Sequence, residues 1–262
     1  MTRVQIFGIG VDSVRVTEAA DSVIRMARTQ GLCRYVVTPN VDHVLILERH
    51  EGLRRAYADA ALVVADGWPV VAASRLLGEA LPERVAGSDL VPAVFALATP
   101  ERPLRVYLLG AAPGVAERAG RRIEAIWPGV RIVGAYGPPF GFERDTAEND
   151  AILRRIEEAA PEVLLVGLGA PKQELWVHAH QARLQARVAL CIGATIDFLA
   201  GEKPRAPRWV QRLGLEWAHR MASEPRRLVP RYATNAVVFP QIVLREWLAR
   251  RSGGSARNGR GG

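Results

Sequence analysis

The chain has 262 residues, 49% hydrophobic and 24% charged, with two cysteines, a composition that excludes collagen, disulfide-stapled scaffolds and disorder. The formal net charge of +8 is uneven, because residues 203–262 carry a net +10 and residues 1–202 carry −2. The basic segment also holds three of the six tryptophans, and such a segment favours an anionic surface.

Up to about residue 200, short and continuously apolar runs alternate with longer amphipathic stretches. The runs predict strands at 4–9, 34–38, 62–65, 104–109, 130–135, 163–167 and 188–192. The stretches predict helices at 17–30, 41–49, 69–77, 89–98, 113–126, 145–159 and 172–185. Continuous apolar strands are typical of a parallel sheet with helices on both faces, so we expect an α/β fold with a mostly parallel sheet.

Three regions follow from this pattern. Residues 1–200 form the expected α/β core, in two halves with a soft boundary near 99–103, where the sequence reads TPERP. Residues 201–250 form a basic, amphipathic, helical appendage. Residues 251–262 are rich in Gly, Ser and Arg, and we expect a disordered tail.

The N-terminal sequence has neither the long apolar region nor the cleavage site of a signal peptide. No stretch reaches the ~18–20 apolar residues of a membrane-spanning helix. We therefore expect a cytoplasmic protein that does not cross the membrane. Cys33 and Cys191 lie in apolar stretches and are expected to be buried thiols rather than a redox pair.

Polar and small residues follow several predicted strands, where the ligands of open α/β sheets bind. Asp66 emerges directly after an apolar run, so partial burial suits it to act as a general base. The same position also suits an N-cap of the next helix. Thr38 and Asn40 follow another strand, and a turn with a cap is the simpler interpretation. Gly110 begins a glycine-containing loop whose backbone amides could approach a diphosphate, although the loop matches neither the dinucleotide fingerprint nor the Walker loop.

Several familiar sites are missing from the sequence. There is no D-x-D motif to hold a divalent metal against a nucleotide diphosphate, and the His and Cys residues lack zinc spacing. There is no G-x-S-x-G nucleophile elbow and no dinucleotide fingerprint. We expect neither a metal nor another cofactor.

Eight sequence blocks, taken together, resemble the bacterial WecG/TagA/CpsF glycosyltransferases of cell-surface polysaccharide and teichoic acid synthesis. The resemblance covers roughly residues 3–235. The blocks are VTPNVDHV (37–44), VVADGWPVV (63–71), ERVAGSDL (83–90), LGAAPGVAE (109–117), VGAYGPPFG (133–141), VGLGAPKQELW (166–176), CIGATIDFLAG (191–201) and RAPRWVQRLGLEWAHRMASEPRRLVPRY (205–232). Each block is modest, but their shared order makes coincidence very improbable.

The resemblance implies an inverting, metal-independent transferase with a Rossmann-like core. It would move N-acetylmannosamine (ManNAc) from its UDP sugar to the 4-hydroxyl of N-acetylglucosamine (GlcNAc) on undecaprenyl diphosphate. The implied partners are a UDP-sugar donor, a lipid-linked diphosphate-sugar acceptor and an anionic membrane surface, without nucleic acid. The implied location is peripheral, on the inner face of the plasma membrane. The family also implies that the chain can form a homo-oligomer.

The resemblance implies roles for residues of the core. Asp66 would deprotonate the acceptor hydroxyl, with Thr38 and Asn40 lining the same pocket. Arg84 would bind the acceptor diphosphate or orient the donor, with a surface ion pair as the alternative. The remaining substrate contacts would come from Gln173 to the donor, Asp197 to nucleotide or sugar, and Tyr136 by stacking on uracil or, alternatively, by packing only.

The appendage supplies Arg220, Arg226 and Arg227, which would stabilise the departing UDP in the absence of a metal. Attraction to anionic lipid headgroups is the alternative for these arginines.

Three other functions stay open at this stage. Relatives in exopolysaccharide pathways transfer glucose or glucuronic acid, and no motif here reads the sugar's 2-substituent. A nucleotide-binding regulatory module with a nucleic-acid-binding tail is a second alternative, although Trp, Leu and Val interleave with the basic residues as in an interfacial helix. A dinucleotide-dependent dehydrogenase is a weaker third.

Overall fold

The computed structural model describes residues 2–203, 206–207, 210, 216–223 and 225–255. Within these ranges the chain forms eight strands, eleven α-helices and a short 3-10 helix at Phe142–Arg144. A six-stranded parallel sheet lies at the centre, with helices on both faces. The predicted α/β fold is confirmed.

The N-terminal strands form a hairpin apart from this sheet. β1 (Arg3–Ile6) and β2 (Ile9–Asp12) pair antiparallel, so the prediction of one sheet strand over 4–9 is wrong. The two turn residues, Phe7 and Gly8, have φ angles of 55° and 72°. Positive φ at both positions is the geometry of a tight hairpin turn, but Phe-Gly lacks the Asn-Gly or Asp-Gly signal that would have revealed it.

The other six strands occur where the sequence predicts them. They are β3 (Arg34–Val37), β4 (Leu62–Val63), β5 (Leu104–Gly110), β6 (Val130–Tyr136), β7 (Val163–Gly167) and β8 (Val188–Cys191). Their order across the sheet is β4-β3-β8-β7-β5-β6. Because β8 pairs with β3, the sheet runs without a break through both halves of the core.

Successive strand residues face opposite sides of the sheet, which creates two hydrophobic cores. Val37 packs in one core and Val36 in the other. The helices of the first face are α2 (Val41–Leu47), α3 (Glu51–Ala58), α4 (Trp68–Leu76), α7 (Thr146–Ala159) and α8 (Lys172–His180). The helices of the second face are α1 (Val16–Ala27), α5 (Gly87–Ala96), α6 (Val115–Ile126) and α9 (Thr195–Ala200). Helices α3 and α9 are not predicted from the sequence.

Both cysteines are free and buried, as predicted. Burial raises the pKa of the Cys33 thiol to about 12 and that of Cys191 well above its ordinary value. Neither thiol is therefore a reactive thiolate at neutral pH.

Two helices complete the described chain, α10 (Glu216–Ser223) and α11 (Pro225–Ser255). Leu228, Phe239 and Ile242 of α11 are buried, and the Phe239 ring lies 5.5 Å from that of Phe7 in the hairpin turn. Helix α11 extends into the segment 251–262, for which we expected disorder, and residues 256–262 lie outside the described residues. Among the described residues, no helix is both long and apolar enough to cross a membrane.

The sheet topology places a crevice beside β3 and β8. These neighbouring strands are followed by α2 and α9, which pack on opposite faces of the sheet. The chain therefore leaves the two strands in opposite directions, and ligands of open α/β sheets bind at such a point.

Candidate active site

A cavity of about 610 Å³ occupies this crevice, between the carboxyl ends of the strands and the C-terminal helices. Its core wall comes from the loops after β3, β4, β7 and β8, and its opposite wall from α10 and α11. Six residues predicted for the site line it: Thr38, Asn40, Asp66, Arg84, Gln173 and Asp197. A cavity of this size can hold a substantial part of a nucleotide sugar.

Asp66 lies three residues after β4, half-buried in the cavity wall. Its backbone N–H donates to the Pro39 carbonyl over 2.8 Å, which ties the loops after β4 and β3 together. Helix α4 begins at Trp68 and its N-cap is Gly67, with a φ of 144°. The alternative interpretation of Asp66 as the N-cap is therefore wrong.

Thr38 and Asn40 are fixed by backbone groups. Thr38 Oγ1 donates to the Cys191 carbonyl over 3.1 Å, linking β3 to β8. Asn40 is the N-cap of α2, since its Oδ1 accepts from the backbone N–H groups of Asp42 and His43. The predicted cap is confirmed, and both side chains also line the cavity.

A buried polar cluster lies below this wall. Gln173 Oε1 accepts from the Gly193 N–H over 3.1 Å, and its Nε2 donates to Glu174 Oε1 over 2.7 Å. Glu174 Oε1 also lies 3.3 Å from His43 Nε2. Gln173 is thus held by both its amide atoms and cannot rotate without breaking a buried hydrogen bond.

Arg84 joins the core to α10. Its Nη2 lies 2.6 Å from Asp89 Oδ2, and its Nη1 pairs with Glu216, which also lines the cavity. The Arg84 side chain is only 12% exposed, so this ion pair is not the solvated surface pair considered from the sequence. Asp197, in the first turn of α9, lines the same cavity.

Asp42 is one of the core residues that contact the opposite wall. Arg231 Nε donates to Asp42 Oδ1 over 2.6 Å, and Asn235 Nδ2 donates to the same oxygen over 2.8 Å. Burial alone would raise the pKa of Asp42, but the hydrogen bonds from Arg231 and Asn235 outweigh it and lower the pKa. The contact therefore favours the ionised carboxylate.

Two predicted substrate contacts lie away from the cavity lining. Gly110 ends β5, and a Cβ there would lie 2.4 Å from the Gly167 carbonyl oxygen, so close strand approach requires glycine. Tyr136 ends β6 at the sheet edge, where its hydroxyl donates to Glu148 over 2.6 Å and Arg155 covers its ring. Their predicted roles in substrate binding stay predictions.

The predicted arginines of the appendage fall on α10 and α11. Arg226 is exposed and does not line the cavity. The side chains of Arg220 and Arg227 lie outside the described part of the structure. Lys203 is a described cation that lines the cavity.

Comparison with known proteins agrees with this geometry. The family model described as "Glycosyl transferase WecG/TagA/CpsF family" matches residues 4–253. The chain belongs to this glycosyltransferase family. Similar proteins from Staphylococcus aureus strains MRSA252, MW2 and NCTC 8325 are each named N-acetylglucosaminyldiphosphoundecaprenol N-acetyl-beta-D-mannosaminyltransferase. Each is 27% identical over 227 residues, which cover 86% of this chain and 87% of the relative.

In the described part of the transferase, no group of three His, Cys, Asp or Glu side chains is arranged to hold a metal ion. The predicted metal independence is a statement about the reaction, and it stays a prediction.

Sequence reasoning missed several polar residues of the site, among them His43, Glu174, Arg231 and Asn235. His43 and Glu174 stand inside the quoted blocks VTPNVDHV and VGLGAPKQELW, and Arg231 inside the last block. The three-residue spacing of Asn40 and His43 was the one available signal, since it places both on one side of a helical turn. The pairing of Asp42 with residues 189 and 193 positions away had no sequence signal.

Proposed function

We propose that this transferase moves ManNAc from UDP-ManNAc to the 4-hydroxyl of GlcNAc on undecaprenyl diphosphate, in cell-surface polysaccharide or teichoic acid synthesis. The S. aureus relatives carry this sugar and this lipid acceptor in their names. The observation that carries the proposal is Asp66, a half-buried carboxyl group in the cavity wall of a chain from this family.

Asp66 acts as the general base. Its carboxylate takes the proton of the acceptor hydroxyl as that oxygen forms a bond to the anomeric carbon of ManNAc. The bond from this carbon to the diphosphate oxygen breaks at the same time, and its electron pair leaves with UDP. Attack from the face opposite the departing UDP inverts the anomeric configuration.

The neighbouring side chains position the sugars. Thr38, Asn40 and Gln173 are held by backbone hydrogen bonds, so they offer polar atoms at fixed positions. Arg84 and Asp197 stand on the same cavity and orient the acceptor diphosphate and the donor, respectively.

The negative charge that develops on UDP needs a partner. In the absence of a D-x-D motif, we assign this task to cationic side chains. Lys203 lines the cavity, and Arg220 and Arg227 are carried by the two helices that border it. The exposed Arg226 lies outside the cavity lining, where attraction to anionic lipid headgroups is its proposed role. Guanidinium groups bind phosphate oxygens in pairs, which suits a diphosphate.

The lipid-linked acceptor requires contact with a membrane. Helix α11 exposes Val229, Val237, Leu244 and Leu248, while Phe239 and Ile242 face the core. The segment that carries this face has a net charge of +10. An exposed apolar face on a basic helix is typical of peripheral binding to anionic lipid, here on the inner face of the plasma membrane.

The test is a donor screen with a lipid-diphosphate-GlcNAc acceptor. UDP-ManNAc, UDP-GlcNAc, UDP-glucose and UDP-glucuronic acid are supplied separately, with and without EDTA, and released UDP is measured. We expect turnover with UDP-ManNAc, no loss with EDTA and a β-linked disaccharide by NMR. Faster turnover with another donor would refute the ManNAc assignment, and a product of retained configuration would refute the inverting mechanism.

A further inference from the structure

A buried polar chain joins α8 to the first turn of α2, below the cavity wall. Glu174 is 0% exposed, and its Oε1 lies 3.3 Å from His43 Nε2. His43 is 5% exposed, and its Nδ1 accepts from the backbone N–H of Asn40 over 3.3 Å and lies 2.9 Å from Asn40 Oδ1. Asn40 and His43 line the cavity, whereas Glu174 does not. Glu174 therefore contacts the site only through its neighbours.

The side-chain oxygen of Asn40 already has its hydrogen-bond partners within the protein. It accepts from the backbone N–H of Asp42 over 3.0 Å and from that of His43 over 3.4 Å, and it faces the His43 ring. Among the described residues, Asn40 Nδ2 has no hydrogen-bond partner. A cap needs only the oxygen, and aspartate serves as well at that position. The amide nitrogen is thus a donor that capping leaves unexplained.

Packing does not explain why a buried position carries the carboxyl group of Glu174. Its Oε1 is approached by Gln173 and His43, but its Oε2 is buried without a hydrogen-bond partner in the described structure. Burying a carboxyl group with an unpaired oxygen costs free energy, and an apolar side chain of similar volume would pack without this cost. A residue that lowers the stability of the fold beside a functional site is expected to contribute to the function of that site.

We propose that Glu174 is a positioning residue, which holds the His43 ring and through it keeps Asn40 Nδ2 directed into the cavity. There the amide nitrogen donates to an oxygen of the sugar substrate beside Asp66. The loops that carry Asn40 and Asp66 are already joined by the hydrogen bond from the Asp66 N–H to Pro39. That the ligand is a sugar rests on the proposed function. The contacts from Glu174 through His43 to Asn40 do not depend on it.

A matched pair of variants tests the role of Glu174. Glu174→Gln keeps an oxygen acceptor at the same distance from His43, whereas Glu174→Asp keeps the acid but withdraws it by one methylene. We expect kcat to fall about tenfold in Glu174→Asp and about twofold in Glu174→Gln, with KM for the UDP sugar little changed in both. A larger loss in Glu174→Gln than in Glu174→Asp would overturn the proposal.

A double-mutant cycle separates positioning from a general structural role. If Glu174 acts through Asn40, Glu174→Asp causes less than about a twofold further loss of kcat in the Asn40→Ala background. Independent structural effects would instead multiply, and that result would refute the proposal. If Glu174→Asp does not fold, the cycle is run with Glu174→Gln and His43→Phe instead. The proposal then requires that Glu174→Gln causes no further loss of kcat in the His43→Phe background.

The NMR signal of the Asn40 side-chain amide gives a readout without substrate, assigned by its loss in Asn40→Asp. It should shift in Glu174→Asp and stay in place in Tyr57→Phe, which removes a buried hydroxyl that has no hydrogen-bond partner in the described structure. An Asn40 signal unmoved in Glu174→Asp would refute the proposal. Turnover by the wild-type protein with each donor tests the proposed function separately, and the kinetic cycle uses whichever donor reacts.

Discussion

The two walls of the cavity are held by different kinds of interaction. On the core wall, Thr38, Asn40 and Gln173 bond to backbone groups at strand ends and at the first turn of a helix. On the opposite wall, Arg231 and Asn235 reach the core through one carboxylate, that of Asp42. The core wall is therefore tied to the backbone of the sheet, whereas α11 adds charged side-chain contacts at the cavity to the apolar packing of Leu228, Phe239 and Ile242. Catalysis and the docking of α11 should be separable by mutation.

The largest effect should come from the core wall. Asp66→Asn removes the proposed base with little change in shape, and we expect kcat to fall about 10³-fold while UDP binding by calorimetry is retained. Asp21→Asn, on the exposed surface of α1, is the matched control and should leave kcat unchanged. If Asp66→Asn kept kcat within tenfold of wild type, another group would be the base.

Breaking the α11 wall should have a smaller effect. Arg231→Gln removes the ion pair with Asp42, and we expect kcat/KM for the UDP sugar to fall about tenfold because α11 docks less firmly beside the cavity. Arg245→Gln is a close control, since Arg245 joins the same two elements through Glu48 but does not line the cavity. Equal losses in the two variants would show that docking of α11 in general, rather than the Asp42 contact, controls activity.

The outer face of α11 should affect membrane binding without changing chemistry. Val237→Asp places a charge on the exposed apolar face, and we expect co-sedimentation with phosphatidylglycerol vesicles to weaken about tenfold. Added salt should also weaken wild-type binding, since it screens the basic segment. Leu76→Asp, an equally exposed position on α4, is the control. We also expect an unchanged kcat on a soluble acceptor. If Val237→Asp bound vesicles as well as the wild type, α11 would not be the membrane-binding element.

The same contrast explains how far the sequence could predict this molecule. Six sheet strands were predictable because continuous apolar runs mark parallel strands, and Thr38, Asn40 and Asp66 because ligand groups follow the carboxyl ends of such strands. The cavity-lining residues Arg84, Gln173 and Asp197 were predicted from the resemblance of the sequence blocks. The hairpin turn at Phe7 and Gly8 was not, because an unusual residue pair adopts positive φ there. The Asp42–Arg231 contact was also not predictable, because it joins residues 189 positions apart and forms only when α11 docks on the core.

The smallest effect should be the response of the α11 wall to acid. Because Arg231 and Asn235 lower the pKa of Asp42 in the folded protein, the contact stabilises docking fully above the ordinary pKa of aspartate. This stabilisation is lost as the pH falls from about 3.9, the ordinary pKa of aspartate, through the lowered pKa. We expect hydrogen-exchange protection of α11, corrected for intrinsic rates, to fall a few-fold over this range in wild type. In Asp42→Asn it should be lower at neutral pH and nearly flat, and an equally steep fall in that variant would mean that another carboxyl group controls docking.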